Sequence, residues 1–136
     1  MDDDVPVLEA FDPVVLGGDM SRSRAIRRWV AAHAVRVAEV DEQVVGYCVI
    51  EQSFFEQSFV ALVVVAEDAR RKGVGAHLMR DAEQHRRTPK LFTSTNLSNR
   101  NMQRLLMKLG WQSVGIVYGL DEGDPELFFV APPASR

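Results

Sequence analysis

An apolar stretch near the middle of the chain constrains the fold more than any other feature. "FVALVVVA", Phe59 to Ala66, is eight residues long and dense in β-branched side chains. Such a run is typical of a central strand that is covered on both faces, and it is much shorter than the roughly 20 residues that cross a membrane. The acidic start "MDDD" is unlike the basic start of a secretory signal. We therefore expect a cytoplasmic protein built around a buried strand, with no membrane partner.

Shorter patterns on either side of this strand predict alternating helices and strands. Two strand-helix-strand connections follow the central strand, and both are expected to be parallel crossovers. Residues 1–20 show the weakest secondary-structure pattern, although "VPVLEAF" is compatible with a short first strand. The other predicted elements are a helix capped by Ser21 and running to about His33, a hairpin around "DEQ", a helix from Val74 to about Arg86, the strand "KLFTSTN", a helix capped by Ser98 or Asn99 and stopped at Gly110, and a closing hairpin of "WQSVGIVYGL" and "PELFFVA".

The composition excludes several classes of protein. A length of 136 residues with 46% hydrophobic positions predicts one domain, and a net charge of −3 argues against a nucleic-acid partner. The single cysteine, Cys48, excludes an internal disulfide and a cysteine-rich metal site, and "VVGYCVI" favours a core residue over a nucleophile. The basic residues Arg70, Arg71 and Lys72 are contiguous. A local basic cluster in an acidic protein suits a small polyanion.

The basic cluster lies in a turn between the central strand and the next helix, within "VVVAEDARRKGVGAHLM". The first N–H groups of a helix point into such a turn, with the positive end of the helix dipole behind them. Gly73 and Gly75 let an anion approach the backbone, and either could adopt a positive φ. The Walker pattern is absent because Lys72 precedes the first glycine, and the dinucleotide fingerprint is incomplete. The turn by itself leaves a phosphate site and a plain surface connection both open.

Two separate motifs resemble the GNAT superfamily of acyl-CoA N-acyltransferases. "RRKGVGAHL" fits its Arg/Gln-x-x-Gly-x-Gly/Ala signature, with Arg70, Gly73 and Gly75 at the signature positions. "NRNMQRLLMKLGW", Asn99 to Trp111, resembles the second block of that superfamily. The resemblance implies an α/β fold and one domain over residues 1–136. The implied sheet is single, mixed and mostly antiparallel, splayed between the central strand at about 58–66 and the next at about 90–96, with helices on both faces.

The resemblance also implies acetyl-CoA as cosubstrate, with no metal. The pyrophosphate would lie on the amides of the signature loop, and the pantetheine arm would bind along the end of the central strand. For Asn99, contact with pantetheine and a plain helix cap are both open. The residues that the resemblance places at the cofactor are Val63, Val64, Val65, Arg70, Arg71, Lys72, Gly73, Val74, Gly75, Ala76 and Asn99.

The resemblance leaves several candidates for the groups that would transfer protons. Many members of the superfamily carry a tyrosine that protonates the leaving thiolate, and Leu106 occupies the matching position here. Tyr118 is a candidate replacement, Ser94 and Thr95 are others, and solvent is a further option. Glu56, in the turn before the central strand, is the first candidate for the general base.

The resemblance implies N-acetyl transfer to a primary amine of unknown identity, and the alternative is a non-catalytic acyl-CoA-binding regulatory module. Acidic residues at 121–126 would suit a cationic acceptor, or they form a solvated turn. Phe54, Phe55 and Phe59 suggest a partly apolar acceptor or the edge of the core. The oligomeric state is open, with a homodimer as one option.

Overall fold

The computed structural model describes residues 4–134, in which helices and strands alternate around one sheet. The helices are α1 Asp4–Glu9, α2 Pro13–Leu16, α3 Met20–Ala31, α4 Val74–Gln84 and α5 Arg100–Lys108, with a short 3-10 helix at Glu67–Ala69. The strands are β1 Val35–Val40, β2 Gln43–Phe54, β3 Gln57–Val65, β4 Leu91–Asn96, β5 Gln112–Val117 and β6 Glu126–Val130. They form a sheet in the order β1-β2-β3-β4-β6-β5. None of the helices in residues 4–134 combines the length and the apolar character that spanning a bilayer requires.

Tight turns connect the first three strands. Asp41 and Glu42 join β1 to β2, which pair antiparallel, and Phe55 and Glu56 join β2 to β3. All four turn residues have φ between 51° and 67°. Two successive positive φ values are the signature of the hairpin turn whose twist matches that of the strands. The hairpin predicted around "DEQ" is therefore confirmed.

The parallel part of the sheet is the pair β3 and β4, connected through α4. Their ladder joins Ser58–Val60 to Leu91–Thr93, whereas β3 has nine residues and β4 has six. A ladder this short agrees with the splay expected between these two strands. The remaining pairs, β4 with β6 and β5 with β6, are antiparallel. The mixed, mostly antiparallel sheet is thus confirmed.

The second expected crossover, from β4 through α5 to β5, has a different outcome. β6 lies between β4 and β5, so these two strands run in the same direction without pairing. Hydrophobic patterns identify a strand but not the strand that it pairs with. The β5–β6 hairpin places its second strand, β6, beside β4.

Two predictions near the N-terminus are wrong. "VPVLEAF" does not form a strand, because most of it lies in α1. Val5 and Leu8, three residues apart, pack in one core cluster, whereas Val7, which a strand would place beside Val5, is 41% exposed. Ser21 is not the cap of α3. Asp19 is, since its carboxylate accepts hydrogen bonds from the Ser21 amide at 2.8 Å and hydroxyl at 2.5 Å.

The described chain divides into two compact units, and the first contains the segment up to Ile50 together with Leu62–Asp81. On one face of its strands, α1 and α3 contribute to a core whose buried members are Leu8, Ile26, Val30, Tyr47, Val49 and Val64. On the other face, Gly46 of β2 lies against Val74 and Leu78 of α4. Helices therefore cover both faces of the sheet in this unit, as expected.

A buried carboxylate ties the N-terminal helices to β2 in the first unit. Asp12 is 0% exposed, and its Oδ1 accepts from the Val14 amide at 2.8 Å and caps α2. Its Oδ2 accepts from the Tyr47 hydroxyl at 2.5 Å and from Arg22 at 3.0 Å. Burial alone raises the pKa of Asp12, but the hydrogen bonds from Tyr47, Val14 and Arg22 outweigh burial and lower it. Burial and the Asp12 carboxylate together raise the pKa of Tyr47 well above its usual range.

The second unit contains Glu51–Ala61 and the chain from Ala82 onward. Alternate residues of β4, namely Leu91, Thr93 and Thr95, are buried. Leu106 of α5 and Trp111 are buried as well, and the Trp111 indole N–H donates to Glu83 at 2.9 Å. The prediction that the chain is a single domain stays a prediction.

Candidate functional site

The turn between β3 and α4, which we call the cradle, contains two residues with positive φ. Arg71 has φ 65° and Gly73 has φ 82°, and the Gly73 carbonyl accepts the His77 amide at 3.0 Å. A left-handed conformation at a non-glycine residue costs energy, and such residues cluster at functional sites. Of the two signature glycines, Gly73 is the one with a positive φ. Gly75 is the second residue of α4.

The start of α4 supplies hydrogen-bond donors to this cradle. The amides of the first helical turn, at Val74, Gly75 and Ala76, have no intrahelical acceptor, and the positive end of the helix dipole is at the same place. A Cβ built on Gly73 would meet nothing within 4 Å. Open space, free amides and the helix dipole together fit a phosphate or pyrophosphate group.

The basic side chains of the turn have different roles. Arg70, Arg71 and Lys72 are all exposed. The Arg70 Nε donates to the Val65 carbonyl at 3.3 Å, so this side chain fastens the turn to the end of β3. Arg71 and Lys72 remain available to attract a polyanion. The structure thus joins the end of β3, at Val65, to the signature loop, and the cofactor role of Val63, Val64 and Val65 stays a prediction.

Gly46 positions the cradle, and sequence reasoning missed it. A Cβ at Gly46 would lie 2.9 Å from the Val74 Cγ1 and 3.1 Å from the Val64 carbonyl oxygen. A Cβ at this position would force these neighbours to shift, so glycine lets the first turn of α4 approach β2 closely. The signal was a glycine within the apolar strand "VVGYCVI", which indicates a close backbone or side-chain approach.

Cys48 lies two residues further along β2, in the interior of the first unit. The side chain is 0% exposed. Burial, with a contribution from the Asp81 carboxylate, raises the pKa of its thiol to about 12. Because the thiolate is the reactive form, the interpretation of Cys48 as a core residue agrees with its environment.

Comparisons with known proteins identify the family. The sequence matches the acetyltransferase (GNAT) family over residues 8–111. A GNAT-family acetyltransferase from Bacillus cereus shares 30% identity, with a TM-score of 0.90 over 98% of this chain and 93% of the other. The chain belongs to the GNAT acetyltransferase family.

Two more distant structures share the GNAT fold. A ribosomal-protein-alanine N-acetyltransferase from Brucella melitensis is 22% identical, with a TM-score of 0.70 over 96% of this chain and 94% of the other. A diaminobutyrate acetyltransferase from Paenibacillus lautus, solved with L-2,4-diaminobutyric acid and coenzyme A, is 17% identical, with a TM-score of 0.72 over 96% and 90%. No curated protein matches the sequence.

The second GNAT block is found at α5. Asn99 is the N-cap of this helix, and its side-chain oxygen accepts the Met102 amide at 3.1 Å. The cap interpretation is therefore confirmed, while contact with pantetheine stays a prediction. Leu106, at the position where many GNAT enzymes have tyrosine, is 0% exposed. A buried hydrocarbon side chain there cannot donate a proton.

The proposed proton-transfer residues lie in the second unit. Glu56 is an exposed residue of the turn before β3, with φ 67°. Tyr118 follows β5 and is 74% exposed. Thr95 is buried at 7% exposure, whereas Ser94 is half-buried. No hydrogen bond or ion pair joins Glu56 or Tyr118 to another described side chain, so both assignments stay predictions.

The aromatic cluster of the second unit is larger than the sequence indicated. Phe54 lies 5.1 Å from Phe55 and 4.7 Å from Phe59, measured between ring centroids. Phe92 and Phe128 also belong to the cluster, at 5.2 and 5.7 Å from Phe54. Sequence reasoning missed these two, although the alternation in "KLFTSTN" and "PELFFVA" could have placed them on one face.

Proposed function

We propose that this protein transfers an acetyl group from acetyl-CoA to a primary amine. The observation that carries the proposal is the cradle from Gly73 to Ala76, where a positive-φ glycine precedes the free amides of α4. Membership of the GNAT family supports the choice of acetyl-CoA as the bound polyanion. The distant relatives from Brucella melitensis and Paenibacillus lautus, whose names identify amino acceptors, support an amine as the acceptor.

The reaction requires few groups from the protein. The amine nitrogen, as a free base, forms a bond to the thioester carbonyl carbon, the C–S bond then breaks, and the amine loses one proton while the thiolate gains one. We propose that pantetheine binds along the backbone of Val63–Val65 and that an amide at Val64 or Val65 donates to the developing oxyanion. The exposed Arg71 and Lys72 attract the phosphates.

Two residues are proposed for the proton transfers. Glu56 accepts the proton of the acceptor ammonium, and Tyr118 donates to the leaving thiolate. Glu56→Gln and Tyr118→Phe change these groups with little change of shape. We expect each to lower kcat by about tenfold or more without changing the affinity for acetyl-CoA. An unchanged kcat in Tyr118→Phe would assign thiolate protonation to solvent.

The proposal is tested in two steps on the same protein. Calorimetry measures acetyl-CoA binding, and a colorimetric thiol assay then measures CoA release with a panel of amines and peptides. Binding with amine-dependent CoA release is the expected result, and absence of acetyl-CoA binding would overturn the proposal. Binding without turnover on any amine would favour the second candidate, a non-catalytic acyl-CoA-binding module. The buried Leu106 at the usual tyrosine position is the observation that favours this alternative.

A further inference from the structure

One face of β4 and β6 in the second unit presents half-buried side chains. In β4, Leu91, Thr93 and Thr95 are buried on one side, which leaves Phe92, Ser94 and Asn96 on the other. The register pairs Ser94 with Phe128 and Asn96 with Glu126. Because directly opposed residues of an antiparallel pair share a face, Phe92, Phe128 and Glu126 lie on the same side of the sheet.

Four phenylalanines form a continuous aromatic surface there, which we call the aromatic face: Phe54, Phe59, Phe92 and Phe128. The Phe54 and Phe128 rings are stacked, with a centroid distance of 5.7 Å and an interplanar angle of 15°. Phe59 lies 6.2 Å from Phe128. All four rings are half-buried, so each retains surface that a ligand can cover.

The edge strand leaves space beside this face. Gly115 of β5 pairs with Phe128, and a Cβ built on Gly115 would meet nothing within 4 Å. Glycine thus provides no side chain to cover the edge of the Phe128 ring.

One carboxylate on the same face has no protein partner among the described residues. Asp121 accepts from the Asn96 amide group at 2.8 Å, and Asp124 accepts from the Ser98 amide at 3.0 Å and hydroxyl at 2.6 Å. These two acids therefore hold the turns together. Glu126 has no such contact, and it lies two residues from Phe128 on the same side of β6. The acidic group available to a cation beside the aromatic face is Glu126.

A second unsatisfied acceptor lies in the same unit. Within the described part of the chain, the side-chain oxygen of Gln57 is buried without a hydrogen-bond partner. Gln57 precedes Phe59 by two residues on β3, so strand alternation places both on one side. A buried acceptor without a donor costs free energy, and because this oxygen has no accessible surface, a ligand would reach it only after neighbouring side chains move.

We propose that the aromatic face binds the acceptor and that the acceptor is a primary amine carried by an aromatic group. The inference rests on the proposed acetyl transfer and names the substrate class of that activity. The aromatic part of the acceptor stacks on Phe54, Phe92 and Phe128, and its ammonium group pairs with Glu126. Two residues of strand span about 7 Å, which matches an amine separated from an aromatic ring by a short alkyl chain. A polyamine could satisfy Glu126 but would leave the phenylalanines uncovered.

The first test measures binding rather than turnover. Calorimetry on the full chain saturated with coenzyme A compares 2-phenylethylamine with putrescine, which lacks the ring, and with 2-phenylethanol, which lacks the ammonium. We expect 2-phenylethylamine to bind about tenfold tighter than either compound, since it alone can use both the rings and the carboxylate. Putrescine binding as tightly as 2-phenylethylamine would overturn the inference.

Matched variants localise the binding. Phe128→Leu keeps an apolar side chain and Glu126→Gln keeps the size, and each is expected to weaken 2-phenylethylamine binding by about tenfold. Glu126→Gln should leave 2-phenylethanol binding unchanged. Glu122→Gln removes the same charge from the exposed acidic turn and serves as the control, with no expected effect. An equal loss in Glu122→Gln, or no loss in Phe128→Leu, would contradict the proposed site.

The outcomes separate this inference from the proposed function. Selective binding of 2-phenylethylamine that is lost in both variants would support the acceptor class even if no amine is acetylated. Acetylation of polyamines without aromatic selectivity would support the acetyl transfer and overturn the acceptor class.

Discussion

The Nε of Arg70 donates a hydrogen bond to the carbonyl oxygen of Val65 at 3.3 Å. This contact folds the side chain of the first signature residue back onto the end of β3. The four residues between the two positions include the short 3-10 helix Glu67–Ala69, so one side chain closes this part of the turn. Arg70 therefore contributes a contact that helps to position the loop, as well as a positive charge.

Replacement of Arg70 separates these two effects. Arg70→Ala removes the contact with Val65 and one positive charge, whereas Lys72→Ala removes one positive charge from an exposed residue of the same loop. We expect Arg70→Ala to weaken acetyl-CoA binding about tenfold and Lys72→Ala only about twofold, because exposed charges are screened. Calorimetry measures both affinities. Equal losses would show that charge alone accounts for the role of Arg70.

Gly73 has a matched control in Gly119. Both have positive φ, 82° and 94°, and a Cβ at either position would meet nothing within 4 Å. Gly73→Ala and Gly119→Ala should therefore lower the free energy of unfolding by a similar amount, about 1 kcal/mol, from backbone strain. Only Gly73→Ala should weaken acetyl-CoA binding, since its Cβ occupies the phosphate approach. Chemical denaturation and calorimetry check the two effects, and unchanged affinity would refute the cradle.

The contact between Tyr47 and Asp12 predicts a pH dependence of stability. The folded state raises the pKa of Tyr47 above its unfolded value of about 10, so the folded chain holds this proton more tightly. The resulting stability is complete below about pH 10 and is lost as the pH rises further. Urea melts at alkaline pH should show a smaller loss in Tyr47→Phe than in the wild type, the remainder coming from the buried Cys48 thiol, whose pKa is also raised. Tyr118→Phe, at an exposed tyrosine, is the control and should retain the wild-type slope.

At acidic pH the same contact gives the opposite dependence, because stability falls as the pH falls. The pKa of Asp12 is lowered in the folded state, so its contribution is present above the unfolded value of about 3.9 and is lost as the pH falls below it. Asp12→Ala should cost about 3 kcal/mol at neutral pH, because it removes the α2 cap and the buried partner of Tyr47 and Arg22. Urea melts at neutral and acidic pH measure both effects. A loss below about 0.5 kcal/mol would show that the buried contact contributes little.

Cys48 should be unreactive in the folded protein. It is fully buried and its pKa is raised to about 12, so almost no thiolate is present at neutral pH. We expect no reaction with a thiol reagent until the chain is unfolded in denaturant, when one thiol appears. Leu97→Cys, at a side chain that is 48% exposed, provides a positive control that reacts at once. Rapid reaction of the wild type would show that β2 opens readily.

Local patterns predicted the elements with strong periodicity. The apolar run of β3, the helix from Val74, the cap at Asn99 and the "DEQ" hairpin are short-range features, and their physics lies within a few neighbouring residues. The signature glycines likewise fall in the turn before α4, and their role at a phosphate group stays a prediction. "VPVLEAF" failed because its apolar residues fit a strand and a helix about equally well. The helix forms because it lets both Val5 and Leu8 pack in the core with Ile26.

The sequence by itself determined the family, the order of most elements and the place of the signature glycines in the turn before α4, because those features depend on spacing along the chain. The tertiary structure decided which distant residues meet. Asp12 meets Tyr47 from 35 positions away, Gly46 admits Val74, and the pairing of β4 with β6 places Glu126 beside the phenylalanines. Strand neighbours and registers arise from the simultaneous burial of many side chains, and no local segment of the sequence contains that information.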